Sequence, residues 1–234
     1  GKMLEEVHNK LADFVKPGIS TLEIDQFGEK AIRDLGCVPN FLNYNGYPAS
    51  ICVSVNDEVV HGIPSKDRIL QDGDIVSLDA GLIHEGYHSD AARTHAVGNI
   101  SEEAKRLIEV TKQSFFEGIK LAVPGNHLFD ISEAIQKYVE SNGYSVVRDL
   151  VGHGIGTHLH EDPQIPNFKQ RRKGMKLRPG MTLAIEPMVN EGSYDVVWLD
   201  DDWTVVTEDG SLAAHYENTI VITEDGCEIL TLSE

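Results

Sequence analysis

Four carboxylates, Asp79, Asp90, Glu186 and Glu217, fall inside apolar, strand-like runs, two in each copy of an internal duplication. The first pair lies in DIVSLDAGLIHEGYHSDAARTHAV (74–97), the second in MTLAIEPMV (181–189) and AHYENTIVI (214–222). Pro17-Gly18 opens a segment that closes on Gly36, and Pro124-Gly125, 107 positions on, opens one that closes on Gly143. Asp79 follows Gly73 by six residues, and Glu186 follows Gly180 by six, again 107 positions on. Asp90 and Glu217 then correspond as H-S-D and H-Y-E, with about twenty extra residues in the second copy. Two halves that each bring acids to one place imply a pseudo-twofold axis with a site on it. Burying unpaired carboxylates costs on the order of several kcal/mol each. A divalent metal resolves that cost most simply.

The remaining pattern limits the architecture. The 234 residues are one domain's worth of chain, or two halves sharing a core. Met3, Leu4, Val7, Leu11, Phe14 and Val15 recur at helical spacing without a capping residue before them, so the reading expects natural residues upstream of Gly1. A second helix begins near Ser20-Thr21, with Thr21 able to cap, and runs to Gly36. Strands are expected around 51–55, over 74–80 and about 88–97, and helices over about 101–122 and 128–142. A strand ending at Val151, the glycine-rich GHGIG and a polar loop through QRRKG follow. The last third reads as strands over 181–189, 194–198, 203–206, 214–222 and 227–232. Helices and mostly antiparallel strands in segregated blocks give an α+β fold, a sheet covered by helices on one side.

Composition excludes several functions. A formal net charge of −18 opposes tight nucleic-acid binding, which needs a basic face. No apolar stretch approaches the ~18 residues of a membrane span and no signal peptide is visible. Cys37, Cys52 and Cys227 are too few and too scattered for a disulfide framework, so a reducing cytoplasm is the expected setting.

Four carboxylates with one imidazole exceed what a single catalytic ion uses and suit two ions with bridging acids. His153, in Val151-Gly152-His153-Gly154, is the best imidazole; its glycine flanks are expected to let the backbone turn sharply. His84, His88 and His158 are expected to be solvated or structural. Carboxylate and imidazole donors suit Mn, Fe, Co, Ni or Zn. Pro187 keeps Glu186 extended.

The ordered motifs HGIP (61–64), SLDAG (77–81), GYHSDAART (86–94), GHGIG (152–156), HEDP (160–163), IEPM (185–188) and YENT (216–219) resemble the type I methionine aminopeptidases over essentially the whole chain. The resemblance implies the pita-bread fold: two pseudo-twofold-related αβ halves, about 1–110 and 111–234, in one catalytic domain with a curved sheet. It implies that Asp79 chelates one metal, that Asp90 and Glu217 bridge both, and that His153 and Glu186 complete the other. His61 and His160 would touch the substrate, and Glu186 would shuttle the proton. The implied reaction is removal of N-terminal methionine from nascent polypeptides, preferentially before a small second residue, by a hydroxide activated between two divalent ions. A pocket for the methionine side chain would be lined by Tyr44, Tyr47, Cys52, Leu159 and Trp203. The chain departs from the family pattern at Leu159, where an aromatic residue is expected, and at Phe41, where a small or thiol-bearing one is. The expected partners are nascent chains and, transiently, the ribosome; a cytoplasmic monomer is expected, binding neither nucleic acid tightly nor membrane. Xaa-Pro aminopeptidases and prolidases share the fold but carry an additional N-terminal domain.

Overall fold

Apolar residues at helical spacing and alternating residues in the strands sort the described residues into four α-helices and fifteen strands. They are seen in a computed structural model that describes residues 1–233. The helices are α1 (Lys2–Phe14), α2 (Thr21–Asp34), α3 (Glu102–Ile119) and α4 (Leu128–Ser141). The first half supplies β1 (Val38–Pro39), β2 (Ile51–Val55), β3 (Glu58–Val60), β4 (Ile75–His84) and β5 (Tyr87–Ala96). In the second half come β6 (Ser145–Val146), β7 (Gly152–Gly154), β8 (Glu161–Ile165), β9 (Thr182–Ile185) and β10 (Met188–Asn190). The chain then forms β11 (Val196–Trp198), β12 (Val205–Thr207), β13 (Ala213–His215), β14 (Glu217–Ile222) and β15 (Cys227–Ile229).

The central sheet runs β1-β4-β5-β14-β9-β7-β8, with β2 on β4 and β15 on β14, and every pairing in it is antiparallel. This is the α+β, pita-bread arrangement. Some structural features recur at the sequence offset of 107. β4 and β5 stand on one side of the β5·β14 seam, and β14 and β9 on the other. Ser20 and His127, 107 positions apart, both open capping boxes, closed by Glu23 and Asp130. The isolated bridges Ser20↔Ile69 and His127↔Lys176 keep the same offset at both ends.

Alternation separates the two faces of the sheet. Leu78 and Ala80 of β4 turn toward α1 and α2 and join Leu4, Leu11, Ile24 and Ile32 in one core. Ile220 and Ile222 of β14 join Leu107, Phe115, Ile131 and Ile135 of α3 and α4 in the other. Helices therefore cover one face and leave the other to the carboxylates. Arg93 clasps the seam between the halves. Its guanidinium donates to the carbonyls of Ala92 and Glu217 and to Asn218 Oδ1 (2.6 Å), and it lies 4.6 Å over the Tyr216 ring.

Several local expectations are corrected. Ser20, not Thr21, caps α2: its Oγ accepts from the Glu23 amide, while the Thr21 hydroxyl donates to the Ser65 carbonyl. The strand expected to end at Val151 is only the two residues of β6, and GHG is itself a strand. β8 lies in what read as polar loop, and the 181–189 strand breaks at Glu186-Pro187.

Candidate metal centre

Strand register assembles the site before any side chain is considered. Cys52 of β2 pairs with Asp79 of β4, Asp79 with Ala92 of β5, and Ala92 with Glu217 of β14, one continuous row across four strands. Residues in one row share a face. Ala92 between the two acids leaves room above it for their side chains. Asp90, two residues along β5, shares that face and pairs with Gly81, again without bulk. The next row holds Thr219, Ala184 and His153. The Asp90 and Thr219 segments are tied by a reciprocal pair: the Asp90 amide donates to Thr219 Oγ1 (3.0 Å), and that hydroxyl donates to the Asp90 carbonyl (2.8 Å). Glu186 follows β9 directly, its carbonyl accepting from Asn167 Nδ2 at 2.9 Å.

The glycines beside His153 serve close approach, not the sharp turn expected of them. A Cβ on Gly152 would lie 2.4 Å from the Ala184 carbonyl oxygen, and one on Gly154 2.3 Å from that of Asp162. Both obstacles are backbone. Gly154→Ala is therefore expected to destabilise the fold by about 1–3 kcal/mol and to displace the imidazole. Urea unfolding and metal titration of the variant check both effects.

His153 is held with Nδ1 2.8 Å from the Gly154 carbonyl, a contact that directs Nε2 at the acids. Nε2 lies 3.6 Å from Glu186 Oε1 and 4.0 Å from Asp90 Oδ2. Two three-residue donor groups result, Asp90–His153–Glu217 and Glu186–His215–Glu217, joined through Glu217. Asp79 Oδ1, Asp90 Oδ1 and Glu217 Oε1 are buried without a hydrogen-bond partner among the described residues. Oxygen-rich donors with imidazole, and lone pairs left unpaired, fit divalent cations. Burial, opposed by a hydrogen bond with Asp90, pushes the Asp79 carboxyl up to about 7. Burial first, and neighbouring carboxylates second, raise Asp90, Glu186 and Glu217 well above the usual range. Burial lowers His153 to about 4, so its ring is neutral and has a lone pair to offer.

One cavity of about 180 Å³ is lined by all twelve residues singled out from the sequence, together with Phe41 and Asn45. His61, Tyr44, Tyr47, Cys52, Leu159, His160 and Trp203 form the wall beside the acids. His61 stands at φ 60, an uncommon conformation for a non-glycine residue, just past β3. Burial lowers its ring to about 4, with the His160 charge adding to the effect. The His160 ring lies 4.3 Å from the His153 ring and tilted 56° to it, and its Nδ1 is 2.9 Å from the Tyr44 hydroxyl. Tyr47 donates to the Gly62 carbonyl (2.8 Å) and meets Trp203 edge-on at 5.1 Å. A wider cleft of about 570 Å³ shares His61, His153, His160 and Glu186.

His84, His88 and His158 line neither space. His158 is exposed, its amide bonded to Glu161. The sequence reading missed His215, which is 2% exposed with Nε2 3.8 Å from Glu186 Oε2 and 3.9 Å from Glu217 Oε2. Its signal was the H-Y-E spacing, since residues two apart along an extended chain share a face.

Comparison with known proteins agrees with this geometry. Residues 1–224 match metallopeptidase family M24. The methionine aminopeptidase of Clostridium acetobutylicum is 58% identical over 234 residues, covering 100% of this chain and 94% of its own. The crystal structure of methionine aminopeptidase from Rickettsia prowazekii superposes with a TM-score of 0.97 at 43% identity, covering 99% of this chain and 93% of that one. An X-Pro aminopeptidase from Thermotoga maritima, at 22% identity and a TM-score of 0.78, shares the fold; 58% of that chain is covered.

Proposed function

The chain belongs to metallopeptidase family M24, among its methionine aminopeptidases, and on that premise we propose the reaction it performs and the residues that carry it. It removes the N-terminal methionine of nascent proteins and peptides, preferentially when the second residue is small, as a single catalytic domain. The observation that carries this reading is a pair of donor groups sharing Glu217, four of whose members, Asp90, His153, Glu186 and Glu217, line one cavity with His61, His160 and a sulfur–aromatic wall. Asp79, Asp90, His153, Glu186 and Glu217 would hold two divalent ions, of Co, Mn, Fe, Zn or Ni type. When bound, such ions would lower the pKa of a water at the site to about 7 and polarise the scissile carbonyl.

The protein's own groups do the rest. The free α-amine of the substrate would offer the centre a further nitrogen donor, which would restrict cleavage to the first residue. Glu186, poised between His153 and the cavity, accepts the proton of the attacking water and returns it to the leaving amine. His61 and His160 are neutral near pH 7 because burial lowers both. A Tyr44 hydroxyl donating to His160 Nδ1 leaves Nε2–H free to face the substrate. The two imidazoles donate to the scissile amide and to the oxyanion that develops from its carbonyl. Cys52, Tyr47, Leu159 and Trp203, with Phe41 beside them, enclose the thioether; each sulfur–aromatic contact contributes about 0.3–1.5 kcal/mol. At about 180 Å³ the cavity suits one side chain, and the adjoining cleft gives the rest of the peptide a way out.

The deciding assay reconstitutes the protein anaerobically with each metal and follows free methionine from Met-Ala-Ser and from peptides varied at the first two positions. Release confined to N-terminal methionine before small residues is expected; metal-loaded protein that leaves Met-Ala-Ser intact would overturn the reading. Within that assay, His61→Ala is expected to lower kcat by about 10²–10³-fold with a smaller change in KM. The reverse split would make His61 a binding group only.

A further inference from the structure

Glu186 divides its two oxygens between two imidazoles: Oε1 faces His153 Nε2 at 3.6 Å, and Oε2 faces His215 Nε2 at 3.8 Å. Glu217 Oε2 lies 3.9 Å from the same His215 nitrogen. The three atoms could surround one ion. The two imidazole–carboxylate spacings exceed the ~3.3 Å edge of a tetrahedral shell with bonds of ~2.0–2.1 Å by about half an ångström, a gap that a bound ion would draw in. His153 faces its own acids across a similar range, 3.6 and 4.0 Å. His215 is 2% exposed, and neither of its ring nitrogens has a hydrogen-bond partner among the described residues. A buried imidazole without a partner, aimed at two carboxylates, is costly unless something takes its lone pair. The backbone fixes that aim. The His215 amide donates to Thr94 Oγ1 (2.9 Å), whose hydroxyl donates back to the His215 carbonyl (2.9 Å), and β13 pairs His215 with Met188. His88, at the corresponding place before Asp90, belongs to neither donor group: it lies in the β4–β5 hairpin, beside His158 and Glu161.

We propose that His215 is a second imidazole of the metal centre, its Nε2 binding the ion held between Glu186 and Glu217. The inference rests on the metallopeptidase reading and adds a ligand to it. Each donor group then carries one nitrogen, with Glu217 common to both. An added imidazole favours cobalt, nickel and zinc over manganese, which prefers oxygen donors.

X-ray absorption on protein carrying two equivalents of cobalt or zinc counts the ligating imidazoles. One imidazole per ion is expected for the wild type, falling to half that number in His215→Gln. The variant should bind one cobalt ion about 10–100-fold more weakly. Its manganese affinity should change much less, so the cobalt-to-manganese ratio falls; a purely structural role would not move that ratio. If His215→Gln does not fold, His153→Gln serves in its place, and imidazole scattering must survive in it. Half an imidazole per ion in the wild type, unchanged in His215→Gln, or none left in His153→Gln, overturns the proposal and leaves the metallopeptidase reading intact. Protein that retains no ion at all overturns that reading instead.

Discussion

Glu217→Gln is expected to lower kcat/KM for Met-Ala-Ser by about 10³-fold or more, a loss of about 4 kcal/mol of transition-state stabilisation. The substitution keeps the volume and removes one negative charge, so the fold should survive it. Arg93 continues to hold the Glu217 carbonyl, and the β14 pairings with β5 and β9 are backbone. The effect is large because Glu217 is the only residue common to both donor groups. Among its neighbours in the row, Cys52, Asp79 and Ala92, the one acid, Asp79, is already assigned to the centre and cannot substitute for it. Bound metal, counted by elemental analysis after gel filtration, should fall from two ions to one or fewer. Loss of activity with both ions retained would reassign Glu217 from ligand to a role in proton transfer. Full activity with both ions retained would remove it from the centre altogether.

Much of this site was legible before folding because strand register turns sequence spacing into geometry. Asp79 and Glu186 recur at the offset that also relates Gly73 to Gly180, so the repeat alone placed them in equivalent positions. The alternation that puts Leu78 and Ala80 in a core puts Asp79 on the other face. Less was legible where function depended on contacts distant in sequence. Nothing local showed that Gly154 has to pass the Asp162 carbonyl, and GHGIG therefore read as a turn. β8 was hidden in the polar sequence EDPQI because its partner, β7, is only three residues long and set by that same close approach. Ser20 and Thr21 are both capping residues by type, and the box with Glu23 decided between them. His215 was overlooked for a related reason. Its motif served to align Glu217 with Asp90, while its aim toward Glu186 depends on β13 pairing with β10.

Stripping the metal is expected to lower the melting temperature at pH 7.5 by at least about 10 °C, with the gap narrowing as the pH falls toward 5. Two opposing sets of shifted groups lead to this. Asp79 titrates near 7 in the metal-free fold, and Asp90, Glu186 and Glu217 are also raised, chiefly by burial. In the unfolded chain these acids ionise near pH 4. Between those limits the metal-free fold binds more protons than the unfolded chain, so its stability falls as the pH rises from about 4 to 7. Cations that replace those protons cancel the loss. A site saturated at ~1,000 times its Kd contributes about 4 kcal/mol. Each kcal/mol is worth about 2–4 °C in a chain of this size. The histidines act in the other direction. Burial lowers His61 and His95 to about 4 and His215 to about 3, so below about pH 6.5 the unfolded chain takes up protons that the fold refuses. Each such group removes about 1.4 kcal/mol per pH unit until its folded pKa is reached. In the metal-free protein the two trends offset each other between pH 4 and 6.5, and its melting temperature should vary little there. In the loaded protein only the acid-sensitive trend remains, so its melting temperature should drop steeply over the same range. Calorimetry of both forms from pH 5 to 8 tests the argument: equal melting temperatures at pH 7.5, or a gap that widens on acidification, would show that the buried acids are not compensated by cations.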